Sequence, residues 1–229
     1  MTLKLGIPSK GRLMEKTFDW FSARGIGMEG AGREYVAEAR MEGLELVMLS
    51  AGEIPREMGK GNIQLGVTGM DMVRERLGNW DQRVREVEAL GFGHADLVIA
   101  VPDFWADVST LHDLDAVAAA FRRAHGHRLR IATKYLRLVR EFLRAEGVAD
   151  YRLVDSQGAT EGTVRNLTAE AVADIASSGE TLRANHLRAL EDGVILRSQA
   201  MLYRTRRAGW SDAQRAAYAA LCDRLGIDG

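Results

Sequence analysis

Ser177-Ser178-Gly179-Glu180-Thr181 sets three hydroxyls and an acid around a glycine, at the end of the apolar run AVADIAS (171–177). Those residue types can hold a phosphate. Backbone N–H groups at a turn that enters a helix, together with the helix dipole, attract anions. Gly179 removes the side chain that would block a close approach. Ser177, Ser178 and Thr181 can each donate a hydroxyl, and Asp174, just upstream, can accept from the vicinal hydroxyls of a sugar. The same letters also spell a capping box, Ser177-x-x-Glu180, which needs no ligand at all. On the loop alone both readings stand.

Other chemistry-bearing residues are fewer. Lys10 and Arg12 flank Gly11 behind the first apolar run, and Lys134 follows a later one; each can neutralise phosphate or simply face solvent. Asp71, after Gly69, either lines a pocket or caps the helix it begins. His125-Gly126-His127 has a spacing that metals use, although an isolated pair of this kind in a loop reads more simply as surface. The five histidines are scattered, and no Ser-His-Asp or Cys-His arrangement for covalent catalysis is present. The single cysteine, Cys222, excludes an intramolecular disulfide and a cysteine-based zinc site. Trp20, Trp80, Trp105 and Trp210 read as packing residues and not as base-stacking platforms.

The elements that must position these residues alternate between strand and helix. LKLGIP (3–8) reads as a strand, residues 11–25 as a helix, and 63–69 as a strand that ends at Gly69. Residues 35–40 and 44–49, joined by Met41-Glu42-Gly43, read as a hairpin. Strands follow at 84–90, 96–102, 129–134, 151–156 and 171–177, with helices at 53–60, 70–77, 111–124 and 135–146. VILRSQAMLYR (194–204) reads as one long late strand. Ser211 and Gln214 open a last helix with a capping box.

This alternation predicts an α/β fold with largely parallel sheets. Its length of 229 residues divides into a discontinuous first domain, 1–93 plus 186–229, and a second, 94–185, that carries the hydroxyl loop. Two hinge crossings and a central cleft follow, with ligands at the carboxyl ends of the strands. The chain is 46% hydrophobic with net charge −1, which argues against a nucleic-acid-binding face. No run reaches membrane-spanning length, and the amino-terminal apolar stretch is too short for a signal peptide, so the expected location is the cytoplasm.

SSGETLRANHL (177–187), preceded by VADI, resembles the phosphoribosyl-diphosphate loop of the ATP phosphoribosyltransferase family. GIPSKGRL (6–13), QLGVTGMDMV (64–73) and RIATKY (130–135) resemble segments of the same family in the same order. Four ordered motifs are far more specific than one loop, and the length is similar to that of the family's short form. The resemblance implies a type II periplasmic-binding-protein-like fold and the first step of histidine biosynthesis. In that step the adenine ring of ATP attacks the anomeric carbon of phosphoribosyl diphosphate and releases pyrophosphate.

By matched position, the resemblance assigns Ser177, Ser178, Gly179, Glu180 and Thr181 to the 5-phosphate and Asp174 to the ribose hydroxyls, with Glu161 lining the same pocket. Lys10, Arg12, Gly69 and Asp71 fall on the ATP side, while Arg33 and Lys134 are set to stabilise the leaving group. Magnesium is implied on the substrate diphosphate, not in a protein-built metal site. A catalytic dimer is implied within a hetero-oligomer that includes a regulatory subunit similar to histidyl-tRNA synthetase.

The chain departs from the family pattern in places. Ser50 stands where many members carry arginine, so another cation, Arg33 or Arg56 among them, must serve there. Thr163 to Leu167 replaces an alanine–proline and glycine-containing run, and Leu136 replaces a proline. Two other readings compete: a non-catalytic two-domain solute-binding or sensor module, and a nucleobase-salvage phosphoribosyltransferase. The first has no need of SSGETL with Asp174, and the second usually shows paired acids where only Asp174 occurs.

Overall fold

The computed structural model describes residues 1–30, 37–156, 158, 160–207 and 209–228. Arg33 and the first two residues of the expected hairpin, Tyr35 and Val36, lie outside them. The chain divides into two compact units, 1–93 with 199–229 and 94–198.

In the first unit Leu3, Leu5 and Ile7 alternate with Lys4 and Gly6 along β1 (Leu3–Pro8), so successive side chains serve opposite faces of a sheet. The odd positions join a core with Trp20 and Phe21 of α1 (Gly11–Ser22) and with Tyr218 and Leu221 of α9 (Asp212–Leu225). The other face packs Ile54 and Met58 of α2 (Glu53–Lys60) with Val73 of α3 (Met70–Arg76). The sheet order is β4 (Leu44–Leu49), β1, β5 (Leu65–Gly69), β12 (Ala200–Thr205), β6 (Val84–Ala89). β4 and β5 run parallel to β1, and β12 runs antiparallel to its two neighbours.

Glycines set the distance between sheet and helix. Gly6 and Gly66 are register partners on β1 and β5. A Cβ on Gly6 would meet Ile63 at 2.5 Å, and one on Gly66 would meet Ile54 at 2.5 Å. The helix face lies against bare backbone there.

Among the described residues the expected hairpin does not form. β3 (Ala37–Ala39) pairs instead with β2 (Met28–Gly30), while β4 joins β1 in parallel. Gly43 does occupy a turn, with φ +79, but the turn leads the chain into the sheet and not back along its own strand.

The second unit orders β11 (Leu187–Ser198), β7 (Ala95–Pro102), β10 (Ala171–Ala176), β8 (Leu129–Thr133), β9 (Tyr151–Asp155). β10, β8 and β9 are mutually parallel, and β7 is antiparallel to both β10 and β11. Both sheets are therefore mixed, not largely parallel. The run 194–204 is two strands, since Ser198 ends β11 in one sheet and Ala200 begins β12 in the other. The return to the first unit consequently comes after Ser198 and not at 186, because the β7 ladder holds β11 in the second unit. Of the two expected capping boxes the one at Ser211 and Gln214 forms.

Arg130 on β8 and Glu170, the residue before β10, tie the base of this sheet together. Arg130 N donates to Glu170 Oε2 at 2.7 Å, and the guanidinium reaches the same carboxylate. Burial raises the Glu170 pKa, but the Arg130 hydrogen bonds outweigh it and hold the carboxyl below its ordinary 4.5. A depressed carboxyl stabilises the fold fully above its ordinary value, and that stabilisation is lost as pH falls through the lower native pKa. Glu170→Gln should therefore cost about 1.5–2 kcal/mol at neutral pH, the lower part of the range for charged hydrogen bonds because Arg130 is partly exposed. Acid melts of the two proteins should converge well below pH 4.5; a deficit that persists there would refute the role of the charge.

Candidate active site

In the second unit the parallel strands β8, β9 and β10 end at one edge, and the hydroxyl loop leaves from β10, the middle strand of the five. The following helix, α8 (Glu180–Ala184), takes Gly179 as its N-cap at φ +71, with no side-chain capping bond. The capping box Ser177-x-x-Glu180 therefore does not form. A left-handed residue at 179 starts the helix two positions later than the box requires.

What holds the loop instead is its own helix. Arg183 Nη2 donates to the Ser178 carbonyl at 3.1 Å, and Asn185 Nδ2 donates to the Thr181 carbonyl at 2.9 Å. The Ser178 hydroxyl accepts weakly from Glu180 N at 3.4 Å. Among the described residues the hydroxyls of Ser177 and Thr181 have no protein partner. Both are exposed and border a hollow of about 100 Å³. At roughly 30 Å³ per water, that is room for about one phosphate group.

Asp174, on β10 ahead of the loop, is mostly buried and accepts from Ile175 N at 2.8 Å. Lys134, just past β8, sets its Nζ 3.5 Å from Asp174 Oδ1 and lies 5.2 Å from the Tyr135 ring centroid. The structure thus brings Lys134 beside Asp174, ahead of the loop. Glu161 precedes α7 (Gly162–Arg165) and is half-buried; it makes no bond to Asp174 or to the loop.

In the first unit the loops after β1, β4 and β5 share an edge as well. Ser9 N donates to the Leu49 carbonyl at 2.8 Å, and Thr68 Oγ1 donates to the Ala51 carbonyl at 2.8 Å. Lys10 is the N-cap of α1 without a side-chain capping bond, and Arg12 is exposed beside it. Gly69 is the N-cap of α3, and Asp71 sits half-buried in its first turn. Ser50 closes the start of α2, with its N–H on Glu53 Oε2 at 3.0 Å.

The cation beside this loop is Arg76. Its Nε lies 3.8 Å from the position of a Cβ on Gly52, whereas Arg56 is exposed on α2. The Nε atoms of Arg74 and Arg76 are buried with no hydrogen-bond partner. The sequence reading passed over Arg76 and Arg183. The signal for Arg76 was a basic residue two turns into the helix that begins at Gly69, and for Arg183 a basic residue one turn past the glycine. His125 and His127 stack around Phe121 instead of gathering ligands; among the described residues no group of three His, Cys, Asp or Glu could hold a metal.

Two α/β units, each presenting loops at the carboxyl edge of its strands, define a type II periplasmic-binding-protein-like protein. Structures of this shape include the GluR0 ligand-binding core with L-glutamate, at TM-score 0.54 and 11% identity over 99% of this chain and 93% of that one. A closer likeness is the ATP phosphoribosyl transferase (HisG:HisZ) complex from Thermotoga maritima, at TM-score 0.75 and 20% identity over 98% of this chain and 96% of that one. These likenesses carry the fold alone.

Sequence carries the family. The HisG profile, ATP phosphoribosyltransferase, matches residues 50–226. The ATP phosphoribosyltransferase of Cereibacter sphaeroides is 69% identical over 230 residues, covering 99% of this chain and 97% of that one. The Brucella suis enzyme of the same name is 52% identical over 214 residues, 91% of this chain and 92% of that one. The chain belongs to the ATP phosphoribosyltransferase family. Its activity is the family's, the first step of histidine biosynthesis, and the solute-sensor reading is not favoured.

Proposed function

We propose that the second unit holds phosphoribosyl diphosphate and the first unit holds ATP, with transfer driven by positioning and charge stabilisation. The observation that carries this reading is the loop at Ser177–Thr181, whose capping box is undone and whose outward hydroxyls border a phosphate-sized hollow. Gly179 and the Arg183 anchor fix the loop before a ligand arrives, so little ordering is left for binding to accomplish. Asp174 accepts from the ribose hydroxyls, and Lys134, held at its side, adds a positive charge toward the diphosphate.

The nucleophile is a neutral adenine nitrogen with its own lone pair, so the chain need not supply a strong base. Its task is to hold two polyanions in line and to stabilise charge on the departing pyrophosphate. Lys10, Arg12 and Arg76 are the cations for that work on the first unit. Gly69 and Asp71 bound the ATP side, and Glu161 serves the phosphoribosyl side as a more distant acid. Arg33 keeps the leaving-group role that its place in the sequence suggested.

Magnesium fits this arrangement as a companion of the substrate diphosphate, because that ion keeps its waters and takes one or two carboxylates. Asp174, just ahead of the loop, and Glu180, within it, are carboxylates that could serve. When bound, the ion would neutralise diphosphate charge. We assign the protein to the cytoplasm, as a short-form catalytic dimer joined to a regulatory subunit similar to histidyl-tRNA synthetase. The T. maritima structure, a HisG:HisZ complex, supports such a partner. No helix among the described residues is long and apolar enough to cross a membrane.

The test is near-ultraviolet absorbance with ATP, phosphoribosyl diphosphate, magnesium and pyrophosphatase, with and without the regulatory subunit. A rise that needs both substrates is expected. Ser178→Ala with Thr181→Ala should slow it on the order of 1,000-fold, for two hydrogen bonds to charged groups worth about 2 kcal/mol each. An unchanged rate in that variant would remove the loop from the mechanism.

A further inference from the structure

At the end of the first unit, Arg204, Thr205, Arg206 and Arg207 follow one another as β12 leaves its sheet, and α9 closes over them. Together with Trp210, Arg215 and Tyr218 they bound a hollow of about 520 Å³. β12 runs antiparallel to β5, so this hollow lies at the sheet edge opposite the loops that follow β1, β4 and β5. It is no part of the site described above.

Each arginine head is fixed. The Arg204 guanidinium lies 5.5 Å from the Trp210 ring centroid and 5.2 Å from that of Tyr218, and the two rings meet edge to face. Arg206 Nε donates to the Val84 carbonyl at 3.2 Å, and Arg207 Nη1 donates to the Lys60 carbonyl. Arg215 reaches the Trp210 carbonyl and, at 2.6 Å, the Asp212 carboxylate.

Only Arg215 has found an acid. Among the described residues Arg204, Arg206 and Arg207 have no carboxylate at ion-pair distance; carbonyls and ring faces position them without cancelling their charge. A second observation sharpens this. Arg85 on β6 is the direct cross-strand partner of Arg204, and like charges placed opposite each other destabilise a sheet. In a chain with 31 basic and 32 acidic residues, acids were available for compensation and are not placed here.

We propose that this hollow is a second anion site, which takes a small, multiply charged phosphate compound of the di- or triphosphate kind. Arginine forks grip phosphate oxygens in pairs, and several heads around one hollow suit more than a single charge. The aromatic faces are already occupied by Arg204, so recognition runs through charge and not through a stacked base. A hollow of this size is within the range of small-molecule sites.

Inorganic pyrophosphate is the probe, titrated calorimetrically into the full chain at low salt with a chelator present. Because the phosphate loop competes for it, the background is the Ser178→Ala, Thr181→Ala protein. One site per chain should remain in that background, weakening steeply with salt. Arg204→Gln with Arg206→Gln should weaken it at least tenfold, and the exposed Arg206→Gln alone, which leaves the aromatic clamp intact, about threefold to tenfold. Melting curves of the single variant should match the parent. No binding in the loop-deficient background would overturn the proposal, as would binding that the arginine variants leave unchanged. Tighter capture of poly-glutamate than of pyrophosphate would also overturn it, in favour of an acidic peptide.

Discussion

Gly179→Val should lower kcat/KM on the order of 1,000-fold while the melting temperature falls by no more than a few degrees. Gly179 sits at φ +71, where a β-branched residue is a genuine outlier. Holding one residue there costs about 1–3 kcal/mol, so the loop would relax instead. A Cβ at this position would also lie 3.0 Å from Arg183 Nη1. That guanidinium can move, but in moving it gives up the Ser178 carbonyl that it holds at 3.1 Å. Loss of the loop's shape removes several charge-assisted hydrogen bonds at once, and two of about 2 kcal/mol each already correspond to roughly 1,000-fold. The loop is exposed, so stability suffers far less. Steady-state kinetics and a thermal melt on the same preparation decide it. Activity within tenfold of the parent would mean that the turn tolerates a side chain and does not hold the phosphate.

The same glycine shows why part of the site was legible in the sequence and part was not. Hydroxyls around a glycine after an apolar run are a local signal, and the chemistry they suggest depends on the loop itself. Which of two local patterns wins is not local in the same way. Ser211 with Gln214 and Ser177 with Glu180 satisfy the same capping rule; the first pair caps its helix and the second does not. The difference is Gly179, which turns left-handed and starts the helix two residues later.

Contacts distant in sequence leave no such trace. Arg76 reaches Gly52 because α3 and the start of α2 flank one sheet edge, and the Lys134–Asp174 pair depends on β8 and β10 being neighbours. Within the run 194–204 no glycine or proline marks the change of sheet at Ser198 and Gln199. Periodicity therefore reports one strand where the chain changes sheets. A turn signal can mislead in the opposite direction: Gly43 makes a real turn, yet the strand after it pairs with β1 across the sheet.

Gly66→Val should destabilise the first unit by about 3 kcal/mol, the upper end of what overpacking a core costs. Nothing near Gly66 in sequence announces this. On the folded chain a Cβ there would lie 2.5 Å from Ile54 Cγ2 and 2.7 Å from Met58 Sδ. Both residues are fully buried, so neither can turn outward. Met58 is flexible and can yield, whereas Ile54 is stiff at its branched carbon, which leaves α2 to lift as a body. Its partner Gly6 stands beside it in the ladder, against Ile63, so the helix has no second groove to settle into. At roughly 2–4 °C per kcal/mol for a chain of this size, the melt should fall on the order of 10 °C. Gly66→Ala with Met58→Ala should cost less than the sum of the two single changes, because the space vacated at Met58 admits the new methyl. Lifting α2 also draws the Ala51 carbonyl away from Thr68 Oγ1, now 2.8 Å distant, so activity should fall with stability even below the melt. Strict additivity in that cycle, or a Gly66→Val protein that melts with the parent, would show that the helix is not seated on these glycines.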